Sequence, residues 1–223
     1  KDRNKILSSL KEMGYYFSSV SIDLEELDNN KVDLVFNITL GEKAKIKKLS
    51  FIGDKIFKDS KLRSIIISEE YKFWKFISGK KFLNENLINF DKRLLKNFYL
   101  NKGYYDVEIN SSFAKLIDQE SFELVYTINA NEKFYFGKLK LDLPVDFDSS
   151  NFENLTEKLE ELENKPYSIN SVETVLKEID KIAILEQYET IKASVIEDIS
   201  KNKINLYFKI EETEKFVVEK INI

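Results

Sequence analysis

Cysteine and histidine are both missing from this 223-residue chain. Their absence excludes disulfides, thiol chemistry, the usual zinc sites and histidine-dependent triads within the sequence. A cysteine-free chain suits cytosol and periplasm alike, so the composition leaves the compartment open. Long apolar runs are missing too: the longest purely aliphatic stretch is Ile65-Ile66-Ile67, far short of the ~20 residues a membrane-spanning helix needs. No charge of one sign dominates. The formal net charge is −4 with both signs interspersed, and without a basic block a surface tracking nucleic-acid phosphates is not expected. There is no signal peptide, and the first residue is Lys rather than Met, which reads as a cut N-terminus.

What is present is a globular composition, 43% hydrophobic and 33% charged, long enough for one large domain or two to three small ones. It is also repetitive. GEKAKIKKLSF (41–51), NEKFYFGKLKL (131–141) and TEKFVVEKINI (213–223) are variants of one strand-like phrase. Just before each stands a second phrase: VDLVFNI (32–38), FELVYTI (122–128) and INLYFKI (204–210). Leu34, Phe36 and Ile38, then Leu124, Tyr126 and Ile128, then Leu206, Phe208 and Ile210 alternate with more polar residues. That is the period of a strand with one buried face. Further back, Gly14-Tyr15-Tyr16, Gly103-Tyr104-Tyr105 and Gln187-Tyr188-Glu189 each precede another alternating segment. Turn-forming residues 28–30, 118–119 and 200–202 join the two segments of each copy into a hairpin.

Helical stripes precede the Gly-Tyr positions. In the middle copy Leu87, Leu94, Leu95, Phe98 and Tyr99 share a stripe that only Asp91 interrupts, and in the last copy Val172, Val175, Leu176, Ile179, Ile182 and Ala183 do the same. Gly14 and Gly103 stand where a helix C-terminus needs a left-handed residue. An earlier helix is expected over Leu62, Ile65 and Ile66 after Asp59 and Ser60, and over Phe152, Leu155, Leu159 and Leu162 after Asp148 and Ser149. The unit is then strand–helix–helix–strand–strand. The fold class is α+β: tandem two-layer β-α-α-β-β domains, each a three-stranded mixed sheet covered by two helices. The expected boundaries are the end of one unit at 1–43, complete units at 44–133 and 134–213, and the first strand of another at 214–223.

This unit resembles the POTRA (polypeptide-transport-associated) domain. The residues that carry the resemblance are Phe51-Ile52-Gly53-Asp54-Lys55 after the first strand, Leu94–Tyr104 at the second helix and Val32–Gly41 closing a copy. Three departures stand out. Asp54 occupies a position where the family usually has Asn, the last copy reads Leu141-Asp142-Leu143-Pro144 without that glycine, and Gln187 replaces the glycine ahead of the second strand. Tandem copies are similar to the periplasmic arrays of outer-membrane β-barrel assembly factors. The long aromatic connection Tyr71–Gly79 is similar to that of the third domain of such arrays, which implies the end of domain two, all of three and four, and the start of five. Lys, Asn and Ile are abundant, as in an AT-rich genome.

The resemblance implies a periplasmic portion of a Gram-negative outer-membrane protein. Its partners would be unfolded outer-membrane β-barrel proteins, accessory lipoproteins, a periplasmic chaperone and the protein's own C-terminal barrel, with no cofactor. Hairpin pairing makes the second strand of each unit an edge, open to β-augmentation by a client strand. The first candidate edge is Tyr105–Phe113, including Tyr105, Asp106, Val107, Glu108, Ile109 and Asn110. Tyr105, Val107, Ile109 and Phe113 are expected to face inward. The second is Thr190–Ile196, including Ile191, Lys192, Ala193, Ser194 and Val195. Asp106 and Glu108 are equally suited to discouraging unwanted pairing. Phe73, Trp74 and Phe76 would form either a partner-binding loop or a satellite cluster over the helices. Gly14, Gly53, Gly103 and Tyr104 are read as structural. The acidic stretch Glu157–Glu163 is a solvated helix face with no nucleophile or oxyanion donor near it, so no enzyme and no metal site are expected. A passive spacer that positions a membrane barrel is the competing reading, and related translocation and two-partner secretion transporters are further relatives of the same kind.

Overall fold

The computed structural model describes residues 2–27, 31–72, 79–115, 121–188 and 191–212. The chain divides into two compact units, residues 1–98 with 107–130, and residues 99–106 with 131–223. In the first, helix α1 (Asp2–Glu12) leads into an antiparallel hairpin of β1 (Ser19–Leu27) and β2 (Lys31–Thr39). A three-stranded sheet follows. Its strands are β3 (Lys45–Asp54), β4 (Glu108–Lys115) and β5 (Ser121–Asn129), in the order β3-β5-β4. Helices α2 (Asp59–Arg63) and α3 (Glu85–Leu100) lie between β3 and β4 in the chain. The second unit repeats the plan with β6 (Tyr135–Asp142), α4 (Glu153–Leu162), α5 (Ile169–Leu185), β7 (Ile191–Ser200) and β8 (Lys203–Glu212), ordered β6-β8-β7. In both sheets the outer first strand runs parallel to the central strand and the other neighbour antiparallel. A parallel partner cannot be reached by a tight turn, so the helix pair is the crossover that brings it there.

The alternating phrases supply the two cores. Leu124, Tyr126 and Ile128 of β5 are fully buried, as are Leu206 and Phe208 of β8, with Ile210 nearly so. They meet Ile46, Leu49 and Phe51 of β3, or Phe136 and Leu139 of β6, and the apolar stripes of the helices above. The first hairpin differs. Leu34 and Ile38 of β2 are 60% and 47% exposed, because this sheet has two strands rather than three among the described residues and carries no pair of covering helices. Alternation marks the face that favours burial; it does not supply the partner.

The helix expected to run through Ile65 and Ile66 stops at Arg63. The cause is Asp91, the polar break in the α3 stripe. Its carboxylate is completely buried and accepts from the Ile67 N–H at 2.7 Å and the Ser68 N–H at 3.2 Å. A longer α2 would have directed those amides to its own carbonyls. The Tyr126 hydroxyl donates to the same carboxylate at 2.8 Å, and burial, followed by the Asp91 charge, raises its pKa strongly. In the second unit the corresponding positions are Val175 and Phe208, both buried and apolar, and there the first helix runs for 10 residues. A local sequence rule did not set the length of α2; a polar core residue on another helix did.

Asp91→Val is therefore expected to destabilise the first unit by about 3 kcal/mol or more, since it strands one hydroxyl and two amides. Adding Tyr126→Phe should return about 1–2 kcal/mol of that loss, as the second unit's apolar pair would predict. Urea denaturation of the three variants measures the coupling; strictly additive losses would contradict it.

Among the described residues no helix is long and apolar enough to cross a membrane, which says nothing of strands in a barrel. The connection holding Phe73, Trp74 and Phe76 lies outside the described residues.

Candidate functional site at the sheet edges

Each three-stranded sheet has two edges, and the chain treats them differently. At the β3 edge a register shift between Ile46 and Lys48 turns backbone groups outward, and the chain itself returns to satisfy them. The Glu70 carboxylate accepts from the Leu49 N–H at 3.0 Å. Arg63 pairs with that carboxylate at 2.9 Å and also donates to the Leu49 carbonyl. The Tyr71 N–H donates to the Ile46 carbonyl at 2.6 Å and the Leu83 N–H to the Ala44 carbonyl at 2.8 Å.

The β6 edge is closed in the same way. Its register shift falls between Phe136 and Leu139, and Glu163 takes the role of Glu70, accepting from the Leu139 N–H at 3.3 Å and pairing with Lys138 at 2.9 Å. That ion pair holds the Glu163 carboxyl below its usual range and raises the Lys138 ammonium. Phe136 exchanges two backbone bonds with the returning chain, donating to Lys165 and accepting from Asn164, each at 2.9 Å. Sequence reading passes over Glu70, which belongs to no repeated phrase; it places Glu163 on a solvated helix face, whereas that residue lies just past the end of α4, half-buried against the Leu139 amide. The signal available was a glutamate between the helices of each copy, too ordinary to single out in a chain one-third charged.

The opposite edges stay open among the described residues, where β4 pairs only with β5 and β7 only with β8. Of the residues expected on the first edge, Glu108, Ile109 and Asn110 lie in β4, with Glu108 and Asn110 exposed and Ile109 half-buried. Tyr105, Asp106 and Val107 do not: the strand begins at Glu108, and these three form the turn ahead of it. Tyr105 belongs to the second unit, where its ring packs edge-on against Tyr167 and its hydroxyl donates to Glu197 of β7. That hydrogen bond, with burial, pushes the phenol up to about 12. The Tyr-Tyr pair after Gly103 reads as one motif in sequence, but tertiary packing gives its members separate duties. Phe113, expected inward, is 40% exposed while keeping edge-on contacts with Tyr16 and Phe122. On the second edge Ile191, Ala193 and Val195 pack against the core of their unit, Lys192 is exposed and Ser194 is half-buried.

The glycines read as structural sit where a side chain would not fit. Gly14 and Gly103 have φ of +92° and +94°, and Gly103 closes the end of α3 with its N–H on the Leu100 carbonyl. Gly53, at φ +87°, lies so close to β5 that a Cβ would collide with the Ile128 carbonyl. Tyr104 stacks edge-on against Tyr99 and sends its N–H to the Tyr99 carbonyl. Gln187 makes the Gly103 turn without glycine, at φ +56°, a conformation that strains an L-residue by about 1–2 kcal/mol.

A family model described as POTRA, surface antigen variable number repeat, matches residues 44–131. Over these residues the chain is similar to a POTRA domain. The chain as a whole is similar to outer membrane protein assembly factor BamA of Neorickettsia risticii, 21% identical over 92% of this chain and 28% of that protein. It is likewise similar to BamA of Buchnera aphidicola, 23% identical over 86% of this chain and 31% of that protein. The chain thus spans less than a third of the length of these relatives. Among solved structures, Haemophilus influenzae BamA POTRA3-5 aligns over 94% of this chain and 80% of that one, with 16% identity and a TM-score of 0.57. BamA of Haemophilus ducreyi lacking POTRA domains 1-3 aligns over 76% of this chain and 29% of that one, with 12% identity and a TM-score of 0.52. These likenesses establish the α+β fold with its mixed three-stranded sheets.

Two outcomes test the edge and turn geometry. Glu70→Ala should accelerate hydrogen exchange of the Leu49 amide by about tenfold, the worth of one charge-assisted hydrogen bond, leaving Leu139 unchanged. Gln187→Gly should raise the unfolding free energy of the second unit by about 0.5–1 kcal/mol, relief of left-handed strain offset by glycine's chain entropy. A loss of stability would contradict the strain.

Proposed function

We propose that this chain is the periplasmic POTRA segment of a BamA-type outer-membrane assembly factor, and that its β4 and β7 edges take up extended segments of unfolded outer-membrane proteins by β-augmentation. The observation that carries this reading is the asymmetry of the edges. In both units a glutamate and a returning segment close the first-strand edge, and in both units the second-strand edge has no partner strand among the described residues. An edge that is merely a by-product of a small sheet has no reason to be spared twice while its opposite is sealed twice.

An added strand draws its affinity from main-chain hydrogen bonds, so it tolerates many client sequences. Precursors of outer-membrane barrels are chains of alternating segments about ten residues long, which suits β4 and β7 at 8 and 10 residues. Within this reading the segments 1–43, 44–133 and 134–213 are the end of one POTRA domain and two complete ones; residues 214–223, expected to open another, lie outside the described residues. The names of the relatives support a part in outer-membrane protein assembly; within this reading the further partners are a C-terminal barrel, accessory lipoproteins and a periplasmic chaperone.

NMR titration with ten-residue peptides copied from barrel strands tests the edges. Shifts running along Glu108–Phe113 or Ile191–Ile196 are the expected outcome. No shift at millimolar peptide would sink edge pairing and leave a spacer that positions the barrel.

A further inference from the structure

The two open edges are not alike in their surroundings. Beside β4 lies an open groove of about 590 Å³ between the strand and α3, lined by Lys92, Arg93 and Lys96 from the helix and by Glu108, Ile109 and Asn110 from the strand. Lys92 is half-buried, and Arg93 and Lys96 are exposed. None of the three forms an ion pair among the described residues, and Arg93 rests over the Phe90 ring at 5.4 Å. Three cations against the single carboxylate of Glu108 leave the groove with a net charge of +2.

The second unit lacks this feature. The helix ends superimpose in sequence, since the Tyr104 N–H reaches the Tyr99 carbonyl as the Tyr188 N–H reaches the Ala183 carbonyl. Carried back along the helices, that alignment puts Glu173, Leu176, Lys177 and Asp180 of α5 where α3 has Asn89, Lys92, Arg93 and Lys96. With Lys192 at the position of Glu108, the corresponding positions hold two cations and two carboxylates, for a net charge of zero.

We infer that the β4 edge selects acidic extended segments: a strand paired there carries Asp or Glu at alternate positions facing α3, where Lys92 and Lys96 receive them, and the β7 edge makes no such selection. This deepens the client-binding reading above and rests on it. The spacing agrees. Lys92 and Lys96 are one turn apart, about 6 Å along the helix axis, and alternate side chains of a strand repeat at about 6.6 Å. Two carboxylates at i and i+2 of an added strand therefore meet two ammonium groups in register. The main chain supplies affinity and the groove supplies choice, in keeping with charge acting more on specificity and encounter than on affinity.

The test titrates the whole isotope-labelled chain with three eight-residue peptides, in which valine alternates with glutamate, glutamine or lysine. The glutamate peptide should bind along Glu108–Phe113 about fivefold more tightly than the glutamine peptide, the worth of two partly exposed ion pairs, and the lysine peptide more weakly than either. Lys92→Gln with Lys96→Gln should bring the glutamate-to-glutamine ratio to about one, as should 0.5 M salt, where the screening length is only about 4 Å. Equal affinities of the glutamate and glutamine peptides for β4 in the unmodified chain would overturn the selection while leaving edge pairing standing. A glutamate preference at β7, or one that survives both substitutions, would overturn it equally. No binding of any peptide at β4 would remove both readings together.

Discussion

The parallel pairing of the first strand with the third, β3 with β5 and β6 with β8, is the contact on which the rest of each sheet depends. It joins segments far apart in the chain, and the only route between them runs through two helices. Once it forms, the helix stripes are drawn over one face, the phrase shared by the copies becomes an outer strand, and the hairpin becomes the other two. It also decides which strand is central. β5 and β8 are flanked on both sides, and Leu124, Tyr126, Ile128, Leu206 and Phe208 on them are fully buried.

That arrangement leaves two edges to be dealt with. On the first-strand side the chain uses one device twice: a register shift exposes backbone groups, and a glutamate from the inter-helix connection satisfies the amide just beyond it. In the first unit the connection is further held by Asp91, whose buried carboxylate gathers Ile67, Ser68 and Tyr126. A carboxylate is retained in that core because two backbone amides leave the α2 path to reach it. The second unit, with Val175 and Phe208, has no such carboxylate and keeps a longer helix.

On the other side no strand among the described residues pairs with the outer edge of β4 or β7, and the units diverge in charge. Lys92, Arg93 and Lys96 make the groove beside β4 basic, and Glu173 and Asp180 balance the charge at the corresponding positions of the second unit. Two copies of one fold can in this way present the same backbone opportunity with different side-chain conditions attached. The Tyr105 hydroxyl on Glu197 shows the same economy in the links, where a residue ahead of one strand serves the next sheet.

Strand and helix identity, the order of elements and the buried set Leu124, Tyr126, Ile128, Leu206, Phe208 and Ile210 were all determined by the sequence alone, because periodicity is a local property that survives in one dimension. The open edges could be read from hairpin order in the same way, and Glu108, Ile109 and Asn110 lie where that order puts them. Tertiary structure decided what depends on distant partners. It ended α2 at Arg63 through Asp91, assigned Tyr105 to a different unit from β4, and left Leu34 and Ile38 exposed. It also brought Glu70 and Glu163 to backbone amides and set three cations beside one edge. Each of these needs a bond or a field between residues separated in the chain, and such pairings carry no period by which a sequence could announce them.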